Sequence, residues 1–398
     1  MSPTSIRPRV LIAGGGVAGL ETMLALRTLA PDRLDITLLA PQLKFLNKSM
    51  SVDGPFKPKR ARGIRFERLL AELGVRWIRA RLDRVEHERR VAVTRDGERV
   101  SYDILVVALG ARPDRWAPRS LFQRHGPHPL IFRDGRDSPE YRVLLDRLRD
   151  GRVKKLAFVK PAGPTWPLPL YDLALLTAAE CATHAGCEPE LSLVTPEEEP
   201  LGIFGHHASA AVRRVLDDSG ITLHAASYGE YRPPGWLQIH PGDRGMEVDR
   251  VVTEPRLVGP HLRGLPCDRN GFMHVDGHGR VADLEDVYAA GDVTGFPVKQ
   301  GGLAAQQADA VAETIAAGVG VEIDPQPFRP VLRGVLLTGG RPRFLRADIS
   351  GRAGDDSTAS RRPLWSPPNK LAGRYLAPYL SGQVGEAADV MPQVAARS

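Results

Sequence analysis

Arg9-Val10-Leu11-Ile12-Ala13 runs straight into Gly14-Gly15-Gly16-Val17-Ala18-Gly19 and then into an alanine- and leucine-rich stretch from Leu20 to Leu29. A short apolar run stopped by glycines predicts a buried strand, and the stretch after it predicts a helix. A second apolar run, Asp35 to Ala40, predicts another strand. Strand, glycine turn, helix and strand in this order make a βαβ unit, because parallel strands need a crossover that is usually a helix. Gly14, Gly16 and Gly19 have the G-x-G-x-x-G spacing. In that pattern glycine serves a tight turn, a close backbone approach to a pyrophosphate, and close packing of helix on strand. The start of the helix offers unpaired N–H groups, so Val17 and Ala18 are expected to donate to phosphate.

In many dinucleotide folds an acidic residue about 20 positions past the glycines holds the ribose hydroxyls. Ala40-Pro41 stand there instead, which leaves the ribose to Gln42, Lys44 or Lys48. This argues against NAD at the first unit and for a longer dinucleotide contacted elsewhere along the chain.

The chain has 398 residues, more than one ordinary core accommodates, so two or three domains are expected. Its net charge of +7 comes mostly from dispersed arginine. No basic block is interleaved with aromatics, so nucleic-acid binding is not expected. The first apolar run is too short for a signal peptide, and none reaches the ~20 residues that span a bilayer. A cytoplasmic location is expected, with peripheral membrane contact left open and the oligomeric state undetermined. Cys181, Cys187 and Cys267 show neither CxxC spacing nor metal-ligand intervals with histidine. Read on one helix, Cys181 and Cys187 fall on largely opposed faces and are expected as buried small hydrophobes.

A second α/β segment begins near Lys154, with strand Leu156–Val159, a turn from Lys160 to Pro169 and a helix from Leu170 to Ala182. Strand Leu191–Thr195, helix Ala208–Asp218 and strand Ile221–Leu223 follow. Its first turn has one glycine, Gly163, and no G-x-G-x-x-G, so a pyrophosphate cannot approach in the usual way. The chain then returns through Asp286-Val287-Tyr288-Ala289-Ala290-Gly291-Asp292 to Lys299-Gln300-Gly301-Gly302 and a helix from Leu303 to Ala316. A β-rich tail, Val331 to Ile349, precedes a polar stretch, Gly351 to Arg362, read as an exposed loop or disordered segment. The segment Pro363 to Leu376 reads either as an amphipathic cover for the cofactor or a membrane, or as plain core packing.

Three separated signatures resemble the two-dinucleotide-binding-domain flavoproteins, the pyridine nucleotide-disulfide oxidoreductase-like proteins. They are Gly14 to Gly19, Tyr102 to Pro113 (similar to "YDxLVxATGxxP") and Asp286 to Asp292 (similar to "VYAxGD"). The resemblance implies an α/β fold with two Rossmann-like domains and a C-terminal β-rich cap. Residues 1–118 and 268–320 would form a discontinuous FAD-binding domain, 150–265 the second domain, and 321–398 the cap with its polar loop at 351–362. It implies FAD as cofactor, with Asp292 on the ribityl chain and Leu82, Ala108, Gly110 and Gly291 along the cofactor path. The Gly301 helix would point its N-terminus at the flavin pyrimidine, joined by Lys299 and Gln300.

Within that family, Phe296 to Gly301 looks like the "PKTG" region of sulfide:quinone reductases, and Ala304 to Gln307 is similar to the quinone-side helix of type II NADH dehydrogenases. Tyr171-Asp172 matches "YE", which implies Asp172 as a proton-transfer group and Lys299 as charge partner of the reduced flavin, surface residues being the plainer alternative. The redox cysteines of sulfide:quinone and disulfide reductases are missing; Thr165-Trp166 stand at the first of those places. The function implied is electron transfer from NAD(P)H or another small donor through flavin to a quinone or small acceptor. The alternative is a flavin-binding interaction or electron-relay module with no or altered turnover.

Overall fold

A computed structural model describes residues 7–46, 52–57, 63–114, 128–349 and 357–382. The apolar runs form two five-stranded sheets, each parallel throughout. The first has the order Val287–Ala289, Ile104–Val107, Arg9–Ala13, Asp35–Leu39, Arg76–Ile78. Its outer strand, Val287–Ala289, arrives only after the whole second sheet has been built, so the first sheet is discontinuous in sequence.

Alternation along the strands divides the first sheet's core into two halves, as a side-chain period of two requires. Val10 and Ile12 face the helices Val17–Leu29 and Gly301–Gly318. Leu11 and Ala13 face the opposite side, where Val85, Ala92 and Val100 of a three-stranded antiparallel sheet cover them. Both faces are therefore dry, which explains why these strands read as continuous apolar runs.

The second sheet has the order Leu130–Ile131, Arg250–Thr253, Lys155–Val159, Glu190–Val194, Ile221–His224. Leu156 and Phe158 pack with the helices Ser138–Arg149 and Leu168–Ala182, whereas Ala157 and Val159 pack under the antiparallel strands Tyr228–Arg232 and Trp236–His240. A third antiparallel sheet, Val331–Leu336, Arg343–Asp348 and Thr358–Ser360, adjoins the second core through Leu332, Leu336 and Leu345.

Three sequence expectations need correction. The first helix begins at Val17, directly on the glycine turn, and not at Leu20. The polar stretch 351–362 is not wholly a loop: Thr358–Ser360 pairs with Phe344–Arg346, because alternate small side chains suffice for an edge strand. Cys181 and Cys187 do not point apart. The helix ends at Ala182 and the chain turns back, so the two buried thiols interact, and burial with this contact pushes Cys181 up to about 12.

Candidate cofactor and catalytic site

Ligands of open parallel sheets bind outside the carboxyl ends of the strands. Here those ends, from both sheets, border one cavity of about 2320 Å³. Drug-sized pockets are usually about 300–1,000 Å³, so this space exceeds the needs of one such ligand.

The glycine turn at its floor divides its labour. A Cβ on Gly19 would lie 1.9 Å from the carbonyl oxygen of Gly14, and one on Gly14 would lie 2.1 Å from that of Ala108. Those two glycines let helix, strand and neighbouring strand close together. A Cβ on Gly16 would meet nothing within 4 Å, and Gly16 lines the cavity. Its missing side chain is thus open room at the positive end of a helix, which fits the pyrophosphate of a dinucleotide. Val17, Ala18, Ala108 and Gly110 also line the cavity; Gly19 lies beneath it in the packing. Leu82 borders the cavity from the antiparallel cover. Lys48 lies outside the described residues, whereas Gln42 and Lys44 line the cavity.

Gly291, Asp292, Lys299, Gln300 and Gly301 line the wall beside this turn. Gly291 sits where two helix starts converge: a Cβ there would be 3.0 Å from that of Ala18 and 3.3 Å from that of Ala304. The Gly291 N–H donates to Gln307 Oε1 at 2.7 Å, which fixes the loop carrying Asp292. Gln300 caps the long helix: its Oε1 accepts from Leu303 N–H at 2.8 Å, and its Nε2 donates to the Arg333 carbonyl at 3.0 Å. Its side-chain amide is committed to structure.

Lys299 is buried, not a surface cation. Its Nζ donates to the Thr294 carbonyl at 2.6 Å and lies 3.9 Å from the centre of the Phe272 ring. Burial lowers its pKa to about 8, while Asp292 and Asp268 oppose that fall.

Asp172 is fully buried and does not line the cavity. It pairs with Lys370, which does line it, and accepts the Leu337 N–H at 2.7 Å. Burial raises its pKa to about 6 even though Lys370 favours the charged form. The expectation of a surface residue or a cavity-facing proton donor changes to that of a charge held behind the wall, anchoring Lys370.

The second sheet's turn before helix Leu168–Ala182 is poor in N–H donors. Pro167 precedes the helix Leu168–Ala182 and Pro169 opens it, removing N–H donors from the place where phosphate would sit. Glu197, just past strand Glu190–Val194, occupies the usual ribose-binding place. Its Oε2 instead accepts the hydroxyls of Tyr171 and Thr195, each at 2.8 Å. Sequence reasoning missed Glu254, Arg333 and Lys370 on the cavity wall. The signal for Glu254 was an apolar strand, Arg250–Thr253, ending in Glu254-Pro255.

Residues 175–313 match the family described as "Pyridine nucleotide-disulphide oxidoreductase". The chain is 28% identical to the sulfide-quinone reductase of Aquifex aeolicus (strain VF5) over 337 residues, 83% of this chain and 72% of that one. It is 23% identical to demethylphylloquinone reductase NdbB of Synechocystis sp. (strain ATCC 27184 / PCC 6803 / Kazusa) over 313 residues, 73% of this chain and 72% of that one. The crystal structure of the Aquifex aeolicus sulfide:quinone oxidoreductase superposes with a TM-score of 0.80 at 18% identity, covering 98% of this chain and 100% of the other. With two parallel sheets facing one cavity and a glycine turn that leaves room for a pyrophosphate, the chain is similar to the pyridine nucleotide-disulphide oxidoreductases, whose family model matches its residues 175–313.

Proposed function

We propose that this protein is an FAD-dependent oxidoreductase that takes electrons from NAD(P)H or another small donor and passes them through the flavin to a quinone or another small acceptor. The observation that carries this reading is the convergence of Gly16, Asp292, Lys299 and the start of helix Gly301–Gly318 on one cavity. FAD supplies the two-electron chemistry when bound. The chain's own residues do the rest. The helix start at Val17 offers N–H groups for the pyrophosphate, and Asp292 offers a carboxylate for the ribityl hydroxyls. Lys299 and the Gly301 helix start put positive charge where a reduced flavin is negative.

The names of both curated relatives contain a quinone, which supports a quinone as acceptor. For the donor, Pro167, Pro169 and the inward turn of Glu197 favour a small molecule over a dinucleotide bound on the second sheet. Sulfide is disfavoured as donor, since Cys181, Cys187 and Cys267 are all absent from the cavity wall among the described residues. No helix among the described residues is long and apolar enough to cross a membrane. Exposed Leu43 and Leu46, flanking Lys44 at the cavity rim, support a peripheral contact with lipid.

Anaerobic mixing of the purified protein with NADH, NADPH and sulfide tests the donor side. Bleaching of the flavin by one of them, followed by recovery with a quinone, is the expected result. A flavin that no donor bleaches would instead favour a binding module without turnover.

A further inference from the structure

Glu254 is a buried carboxyl on the cavity wall with no role in the site as described. It follows strand Arg250–Thr253, which lies between Leu130–Ile131 and Lys155–Val159 in the second sheet. It is 8% exposed, it lines the cavity, and its Oε2 has no hydrogen-bonding partner among the described residues. The other cavity-lining acids are engaged. Asp53 pairs with Lys57, Asp83 with Arg263 and Asp134 with Arg136, while Asp292 stands beside Lys299. A buried polar atom left unsatisfied is costly, and a ligand that completes its hydrogen bonding accounts for its retention.

The surroundings specify what that ligand offers. Lys160 and Thr165 favour the charged form of Glu254, whereas Glu197 and Asp172 repel it. Burial dominates and holds Glu254 protonated well above the usual carboxylate range. Its protonated form offers an O–H to a cavity otherwise rich in arginine and lysine. Trp166, next to Thr165, lines the same wall and is braced edge-on by Phe204, with ring centres 5.7 Å apart. A flat aromatic beside a single O–H donor suits a planar carbonyl compound.

We propose that Glu254 is the acid of the acceptor site: it hydrogen-bonds a carbonyl oxygen of a quinone lying against Trp166 and protonates it during reduction. This rests on the functional reading above. With FAD bound and reduced, the cofactor would supply the hydride, and the Glu254 O–H bond would break to give up the proton. The quinone would gain both and become a hydroquinone, the cofactor would return to its oxidised form, and Glu254 would be left as a carboxylate that solvent reprotonates.

The test uses FAD-loaded protein reduced anaerobically with dithionite and mixed with either menadione or ferricyanide, which accepts electrons without a proton. In the wild type, the ratio of menadione to ferricyanide rate constants should be flat at low pH. It should fall about tenfold per pH unit once Glu254 ionises. Glu254→Gln should lower the ratio at least ~10-fold and abolish the pH-dependent limb, and Glu254→Asp should restore the limb. A Gln variant within about twofold of wild type that keeps the limb overturns the assignment while leaving quinone reduction intact. Wild-type protein that is oxidised by ferricyanide but not by menadione overturns both the assignment and the quinone reading. If the Gln variant does not load FAD, the wild type and the Asp variant decide, and a pH-independent wild-type ratio overturns the proposal.

Discussion

Lys299 carries its ammonium where burial works against the charge and Asp292 and Asp268 work for it, so its pKa settles near about 8. A cation beside a reduced, anionic flavin stabilises that form by roughly 1.5–3 kcal/mol, the range of a charge-assisted hydrogen bond. For a two-electron couple this corresponds to about 30–60 mV. Lys299→Met should lower the flavin midpoint potential by that amount, measured by dye equilibration, and Lys299→Arg should recover most of it. Because the charge is present below its pKa, the wild-type potential should drift towards that of the Met variant as pH rises through about 8. Asp172 predicts a different outcome. Removing one partner of a buried ion pair costs about 3–5 kcal/mol. Asp172→Asn should therefore lower unfolding free energy by that order in urea, with Lys370→Met showing a similar loss. A variant as stable as wild type would dissolve the pair as a structural feature. Asp172 was findable in the sequence because it sits beside Tyr171 in a recognisable dipeptide. Its partner was not, since Lys370 lies 198 residues away and nothing local marks the contact.

Among the elements, the C-terminal helix Leu376–Gly382 shows how a distant segment is tied to the cofactor domain. Glu21, buried in helix Val17–Leu29, accepts the N–H groups of Tyr375 and Leu376 at 2.7 and 2.8 Å. It thereby satisfies donors that open the C-terminal helix. Its neighbour Asp309 is also buried, and desolvation with the Glu21 charge raises it from 3.8 to about 8. A carboxyl raised on folding contributes stability that is complete below its unfolded value and lost as pH rises through its folded value. Wild-type protein should lose stability relative to Asp309→Asn between about pH 4 and about pH 8. Urea unfolding of both proteins at pH 5 and pH 8 measures it, and parallel curves would contradict it. The βαβ unit was legible because glycine spacing and apolar runs are local signals. The helix start at Val17 was misread because Gly19, a weak helix former, lies inside the first turn and made the glycine loop read as longer than it is. The edge strand Thr358–Ser360 was missed because it is specified by its partner, Phe344–Arg346, and not by its own residues.

At the level of the whole molecule, two parallel sheets place their carboxyl ends around one cavity, and the chain treats those ends unequally. The first sheet keeps an open glycine turn at Gly16; the second replaces its turn with Pro167 and Pro169 and folds Glu197 inward. One end therefore keeps the open turn that a dinucleotide's pyrophosphate needs, and the other does not. That asymmetry was half visible in the sequence, through the missing second glycine pattern. The cavity itself, assembled from loops far apart in the chain, was not. On the function proposed above, this cavity holds FAD and works as an electron-transfer site. The most direct measurement is the visible spectrum of the purified protein, followed anaerobically through dithionite reduction and menadione addition, with the released cofactor identified after denaturation. A yellow protein that releases FAD, bleaches on reduction and recovers its spectrum with menadione is the expected result. A colourless protein that neither releases FAD nor takes it up when it is supplied would contradict it.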